Sequence, residues 1–87
     1  MITSDIYKCV KRIMKKLRTN NPYEIAELCH ITVIYRHFDD IKGMYTIRGR
    51  CPFIFLSDNL DEYMEKVVLF HELGHHFLHR EEVSSTI

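Results

Sequence analysis

The chain has 87 residues, 46% of them hydrophobic and 28% charged, and a formal net charge of +0. This allows one globular domain (residues 1–87) with a limited core, and it gives no whole-chain field that would gather nucleic acid or membrane. No apolar run approaches the roughly 20 residues of a bilayer span, and the N-terminus lacks a signal-type apolar core.

Residues 2–18 place Ile6, Val10, Ile13, Met14 and Leu17 at three- and four-residue steps, which predicts an amphipathic helix near 4–18. Lys8, Lys11, Arg12, Lys15, Lys16 and Arg18 form a basic run, read as a solvated face, with nucleic-acid binding as the lesser alternative. Asn21-Pro22-Tyr23-Glu24 opens a second helix near 22–29: Asn21 caps, Pro22 suits the first helical position, and Glu24 can complete a capping box. The period then changes. Ile31 to Phe38, Met44 to Arg48 and Phe53 to Leu56 are β-branched or aromatic runs separated by Asp39–Gly43 and Gly49-Arg50. Their closeness predicts a three-stranded antiparallel meander, with Pro52 at a strand entry or edge. The fold class is α+β.

Ser57 to Glu62 supplies caps and an acidic first turn for a long helix, expected over about 60–79. Leu60, Tyr63, Met64, Val67, Val68, His71, Gly74, His75 and Leu78 share one face, expected to point inward. A second stripe, Leu69-Phe70-Leu73-Phe77, has no evident cover, so self-association through this apolar flank, or cover by a folded-back tail, is expected. His76 falls off the ligand face and is expected to be exposed, as are His30 and His37 unless structural.

The chemistry lies in Phe70-His71-Glu72-Leu73-Gly74-His75-His76-Phe77-Leu78-His79. Histidines at i and i+4 on a helix can hold one Zn²⁺ between their rings, at about 2.0–2.1 Å per bond. Glu72, about 100° round the helix from His71, points toward the open coordination position. There it can take a proton from water and deliver it to a leaving amine. Gly74 removes a side chain where the sheet or substrate can come close. This is the logic of the HExxH pattern. His79 is about 12 Å along the axis from His71, too far to share one metal with it on a regular helix.

The whole chain resembles the ImmA/IrrE family of zinc metallopeptidases. The resemblance rests above all on Asn21-Pro22-Tyr23-Glu24-Ile25-Ala26 and His71-Glu72-Leu73-Gly74-His75, with Gly43-Met44-Tyr45 as a strand entry. It implies a small zincin-like domain of the gluzincin type. It implies His71 and His75 as zinc ligands and Glu72 as the catalytic acid/base. It also implies an endopeptidase whose protein substrate is a helix-turn-helix repressor, cut to induce phage, mobile-element or stress genes. The zero net charge and the lack of apolar runs separately give the expectation of a cytoplasmic protein with no direct contact to nucleic acid or membrane.

The family pattern continues with a further helix bearing an acidic third ligand, whereas this sequence stops at Ile87. The chain is therefore expected to be truncated after the active-site helix and to bind zinc weakly or not at all. Glu81 lies six residues past His75, a spacing used for a third ligand in metzincins, but Leu78 stands where those proteins have a glycine turn. Glu81 and Glu82 remain the alternatives to an absent ligand. The second functional reading is a catalytically incomplete relative that acts as a protein-interaction module.

Overall fold

A computed structural model describes the backbone of residues 2–78 and 85–86 and the side chains of residues 6–78. Helix α1 spans Ile2–Leu17, α2 Pro22–Leu28 and α3 Glu62–Leu78. Strands are β1 (Thr32–Arg36), β2 (Gly43–Arg48), β3 (Cys51–Ser57) and a two-residue β4 (Ser85–Thr86). The α+β class holds, with element bounds within a few residues of those expected from periodicity.

Local chemistry explains most boundaries. Asn21 Oδ1 accepts from the amides of Tyr23 (2.9 Å) and Glu24 (3.4 Å), and Pro22 occupies the first turn of α2. The reciprocal half of the capping box is altered. The Asn21 amide donates to Thr19 Oγ1 at 3.1 Å, and the Thr19 hydroxyl donates to Glu24 at 2.5 Å. Both α1 and α2 end in a left-handed residue, Arg18 (φ 60°) and His30 (φ 58°). The Thr19 amide returns to Met14 O at 3.1 Å and the Ile31 amide to Ala26 O at 2.8 Å, the wrapping that closes a helix C-terminus. For α3 the cap is Asp61, whose carboxylate accepts from the Met64 amide at 2.7 Å, so the helix begins at Glu62.

The sheet order is β1-β3-β2-β4. It is mixed, which corrects the antiparallel meander: β1 runs parallel to β3, while β2 is antiparallel to both β3 and β4. The reason is compositional. Phe53-Ile54-Phe55-Leu56 is the most apolar run, and Ile54 and Leu56 have no exposed surface, so β3 takes the centre. Strand β1 runs opposite to β2, so a short link over one end of β3 joins them. Gly49 (φ 55°) and Arg50 (φ 72°) form a two-residue hairpin turn with both central residues left-handed, pairing Arg48 with Cys51. Pro52 pairs with Ile47 one step from the turn, before β1 begins its pairing at Phe53. It is at a strand entry as expected, but on the central strand.

All three helices lie on one side of the sheet. Helix α3 packs on β2 and β3, α2 on α3 and β1, and α1 on α3. Ile25, Tyr45, Ile54, Leu56, Leu69 and Leu73 are fully or almost fully buried between these layers. Leu69 and Leu73 were expected on a bare flank. Instead they lie in the core, and Phe70 and Phe77 pack against it. Their cover is the sheet together with the apolar face of α1, where Ile6 and Val10 are buried. Conversely Tyr63 is 75% exposed and Val67 41%, so the face expected to point inward is partly solvent-facing. Helix α3 presents Val68, Leu69, Glu72, Leu73 and His76 to the core. The expected cover by the tail is not seen in its described part: Ser85 and Thr86 pair with Tyr45 and Met44 at the outer edge of β2.

Candidate metal centre

His71 and His75 occupy successive turns of α3 and their side chains converge. The Nε2 atoms are 3.0 Å apart and the rings meet edge to face, with centroids 4.6 Å apart. Two nitrogens bound to one tetrahedral zinc at about 2.05 Å lie about 3.3 Å apart, so a few tenths of an ångström of opening would admit the ion. His75 is buried and His71 half-buried. Burial lowers the His71 pKa, which favours the neutral imidazole that a metal needs.

Glu72 packs against the start of β2, its Cγ 3.6 Å from where a Gly43 Cβ would stand. Its side chain has no exposed surface, and neither carboxylate oxygen has a hydrogen-bond partner among the described residues. Burial alone raises its pKa to about 8. A carboxyl held so is protonated at neutral pH, and a cation beside it would reverse that preference. The donor set therefore fits a divalent metal in part: two convergent imidazoles, with a buried carboxyl adjacent. No group of three metal-ligating side chains occurs among the described residues. His79, Glu81 and Glu82 lie outside those residues.

Two glycines set the position of α3. A Cβ on Gly43 would come within 2.6 Å of Val68 Cγ1 and 3.1 Å of Phe55 O, so the first residue of β2 fits against α3 beside Glu72 only without a side chain. A Cβ on Gly74 would lie 2.1 Å from Ile6 Cγ2. The close neighbour of Gly74 is thus α1, not the sheet or a substrate.

His76 corrects the expectation of exposure. It is buried, and its Nδ1 shares a 2.6 Å hydrogen bond with the Tyr45 hydroxyl of β2. The signal was present in the chain: residue 76 continues the stripe 68-69-72-73 by one turn. His37 is exposed, between Asp39 (3.0 Å) and Asp58 (3.3 Å), and His30 is exposed at the end of α2. All three cysteines are thiols, with Cys51 exposed. Among the described residues no helix is long and apolar enough to cross a membrane.

The segment HELGH thus lies on a helix laid across a mixed sheet, with its glutamate buried against β2. Residues 25–86 match the family model of the IrrE N-terminal-like domain, a peptidase family. The chain belongs to this ImmA/IrrE family. It is 39% identical over 75 residues to an uncharacterized immunity region protein 2 of Bacillus phage phi105. That match covers 85% of this chain and 48% of the relative, so the chain spans about half the relative's length. No solved structure matches it.

Proposed function

We propose that this chain carries the catalytic helix of a zinc-dependent endopeptidase that cuts a helix-turn-helix repressor and so induces phage or mobile-element genes. The observation that carries the reading is the convergent His71–His75 pair on the same helix turn as a buried Glu72 carboxyl that has no hydrogen-bond partner among the described residues. Family membership supports peptide hydrolysis, and the phage immunity-region relative supports a regulatory protein as substrate.

The imidazoles of His71 and His75 offer their Nε2 lone pairs to one ion. When bound, zinc would polarise the scissile carbonyl and acidify water. Glu72 accepts the proton of the attacking water and passes it to the amine nitrogen as the C–N bond breaks. Its burial keeps bulk water from competing for that proton. Gly43, lacking a side chain, leaves room for the Glu72 methylene stem against β2.

The test is zinc content together with cleavage of a helix-turn-helix repressor offered as substrate. Glu72→Gln should keep zinc and lose cleavage by about 10²–10⁴-fold, since an amide accepts no proton. His71→Ala or His75→Ala should lose both. Full cleavage by Glu72→Gln would remove Glu72 from the acid/base role.

One observation favours a second reading. Only two ligands converge among the described residues. On that reading the chain binds the repressor without cutting it, and Glu72→Gln would leave gene induction in cells unchanged.

A further inference from the structure

An open groove of about 320 Å³ runs between α1 and α3. Val10 and Met14 wall one side, and Val67 and Phe70 the other. His71 also belongs to the lining. Because His71 Nε2 also faces His75 at 3.0 Å, the groove opens directly beside the ligand pair. Glu72 is not part of the groove lining. Two features show that the groove is more than a seam in the core. Val67 is 41% exposed and Tyr7 62%, although both are large apolar groups beside buried Ile6 and Val10. Among the described lining residues Lys11 carries a charge, its ammonium 5.3 Å from the Tyr7 ring centre.

We infer that this groove is a specificity pocket, receiving a large apolar side chain of the peptide substrate (leucine, methionine or phenylalanine) next to the bond that is cut. The inference rests on the peptidase reading and adds the residue type selected. A chain crossing the His71–His75 pair advances about 3.5 Å per residue, so the side chain adjoining the reacting carbonyl reaches the groove mouth. An apolar side chain gains there by leaving water. A polar one loses its hydration and finds no replacement partner among Val10, Met14, Val67 and Phe70. Lys11 at the rim favours a carboxylate a residue or two further along the substrate, and disfavours lysine there.

The experiment has two arms. In the first, the metal-free protein is titrated with N-acetyl-leucine amide, N-acetyl-phenylalanine amide and N-acetyl-glycine amide, and the methyl resonances of Val10, Met14 and Val67 are followed by NMR. The leucine and phenylalanine probes should shift these methyls saturably, with the glycine probe at least about tenfold weaker. Val67→Trp, made at a half-open position, should fill the groove and abolish binding while thermal unfolding stays unchanged. In the second arm, peptides differing at one position are offered to the zinc-loaded protein. Val67→Trp should lower kcat/KM for leucine-containing peptides by about tenfold or more and leave alanine-containing ones little changed.

Equal binding of all three probes, or shifts confined to another face, overturns the pocket. So does cleavage without apolar preference, and that result leaves the peptidase reading standing. Selective probe binding by a protein that cuts nothing overturns the peptidase reading and with it the pocket's role in cleavage, leaving only an apolar binding groove. Concentration-dependent dimerisation that Val67→Lys abolishes, with no probe binding, would assign the groove to a second copy and overturn the inference.

Discussion

Glu72 is the residue whose environment departs furthest from what its side chain would choose in water. Its carboxyl is buried without a hydrogen-bond partner among the described residues, and its pKa rises from 4.5 to about 8. The sign of the stability effect follows from proton counts. Below about pH 4.5 both folded and unfolded chains carry the proton. Between 4.5 and 8 the unfolded chain releases it while the folded chain retains it, so stability falls as pH rises through that window. Glu72→Gln removes the effect. The metal-free variant should be more stable than the parent by up to roughly 3 kcal/mol at pH 7, with no difference near pH 4. Urea denaturation at the two pH values measures this. Equal stability at pH 7 would mean that the carboxylate is already satisfied. His76 shows the opposite solution at the next turn: its burial is matched by the Tyr45 hydroxyl.

Helix α3 is positioned by what it lacks as much as by what it buries. Gly74 lets Ile6 of α1 rest on its backbone, which sets the approach of α1 and hence the width of the groove beside His71. Gly74→Ala would gain helix propensity of about 1 kcal/mol, but it places a methyl 2.1 Å from the branched Cγ2 of Ile6, which cannot swing away cheaply. The clash should win, with a net loss of about 1–2 kcal/mol. In the double variant Gly74→Ala/Ile6→Ala the two losses should sum to less than their separate values by about 1 kcal/mol. Thermal or urea unfolding of the four proteins closes that cycle. Strict additivity would mean that α1 and α3 do not meet at this point in solution.

Across the molecule, the element that ties the layers together away from the metal site is a tyrosine pair. The hydroxyls of Tyr23 on α2 and Tyr35 on β1 both donate to Glu65 Oε2 on α3, Tyr35 at 2.8 Å. Burial first, and then the Glu65 carboxylate, raise both tyrosine pKa values. A raised folded pKa means that the contribution is whole below the unfolded value of about 10 and is lost as pH climbs beyond it. The melting temperature should therefore fall steeply above pH 10. Tyr23→Phe should blunt that fall while lowering stability at pH 7. An unchanged pH profile in the variant would show that the pair does not bridge α2 to α3.

The sequence by itself determined the elements and the chemistry of one helix. Asn21-Pro22, Gly49-Arg50 and Asp61 are local signals, acting over two to four residues, and each marks a boundary in the structure. The i, i+4 spacing of His71 and His75 is likewise a property of any helix, so their convergence was legible. Tertiary structure decided the rest. Whether β3 lies at the edge or the centre depends on which apolar run gains most from cover on two sides, and no nearest-neighbour rule states that. The rotation of α3 depended on α1 arriving over Gly74. Leu73 is buried and Val67 lies in the groove, although both are apolar residues on one helix. Tyr45 and His76, 31 residues apart, form a buried pair only because β2 lies against α3. Side-chain periodicity gives the faces of each element. Which face meets which neighbour is settled by the surfaces brought together, and the buried Glu72, the groove and the Tyr45–His76 bond all arise there.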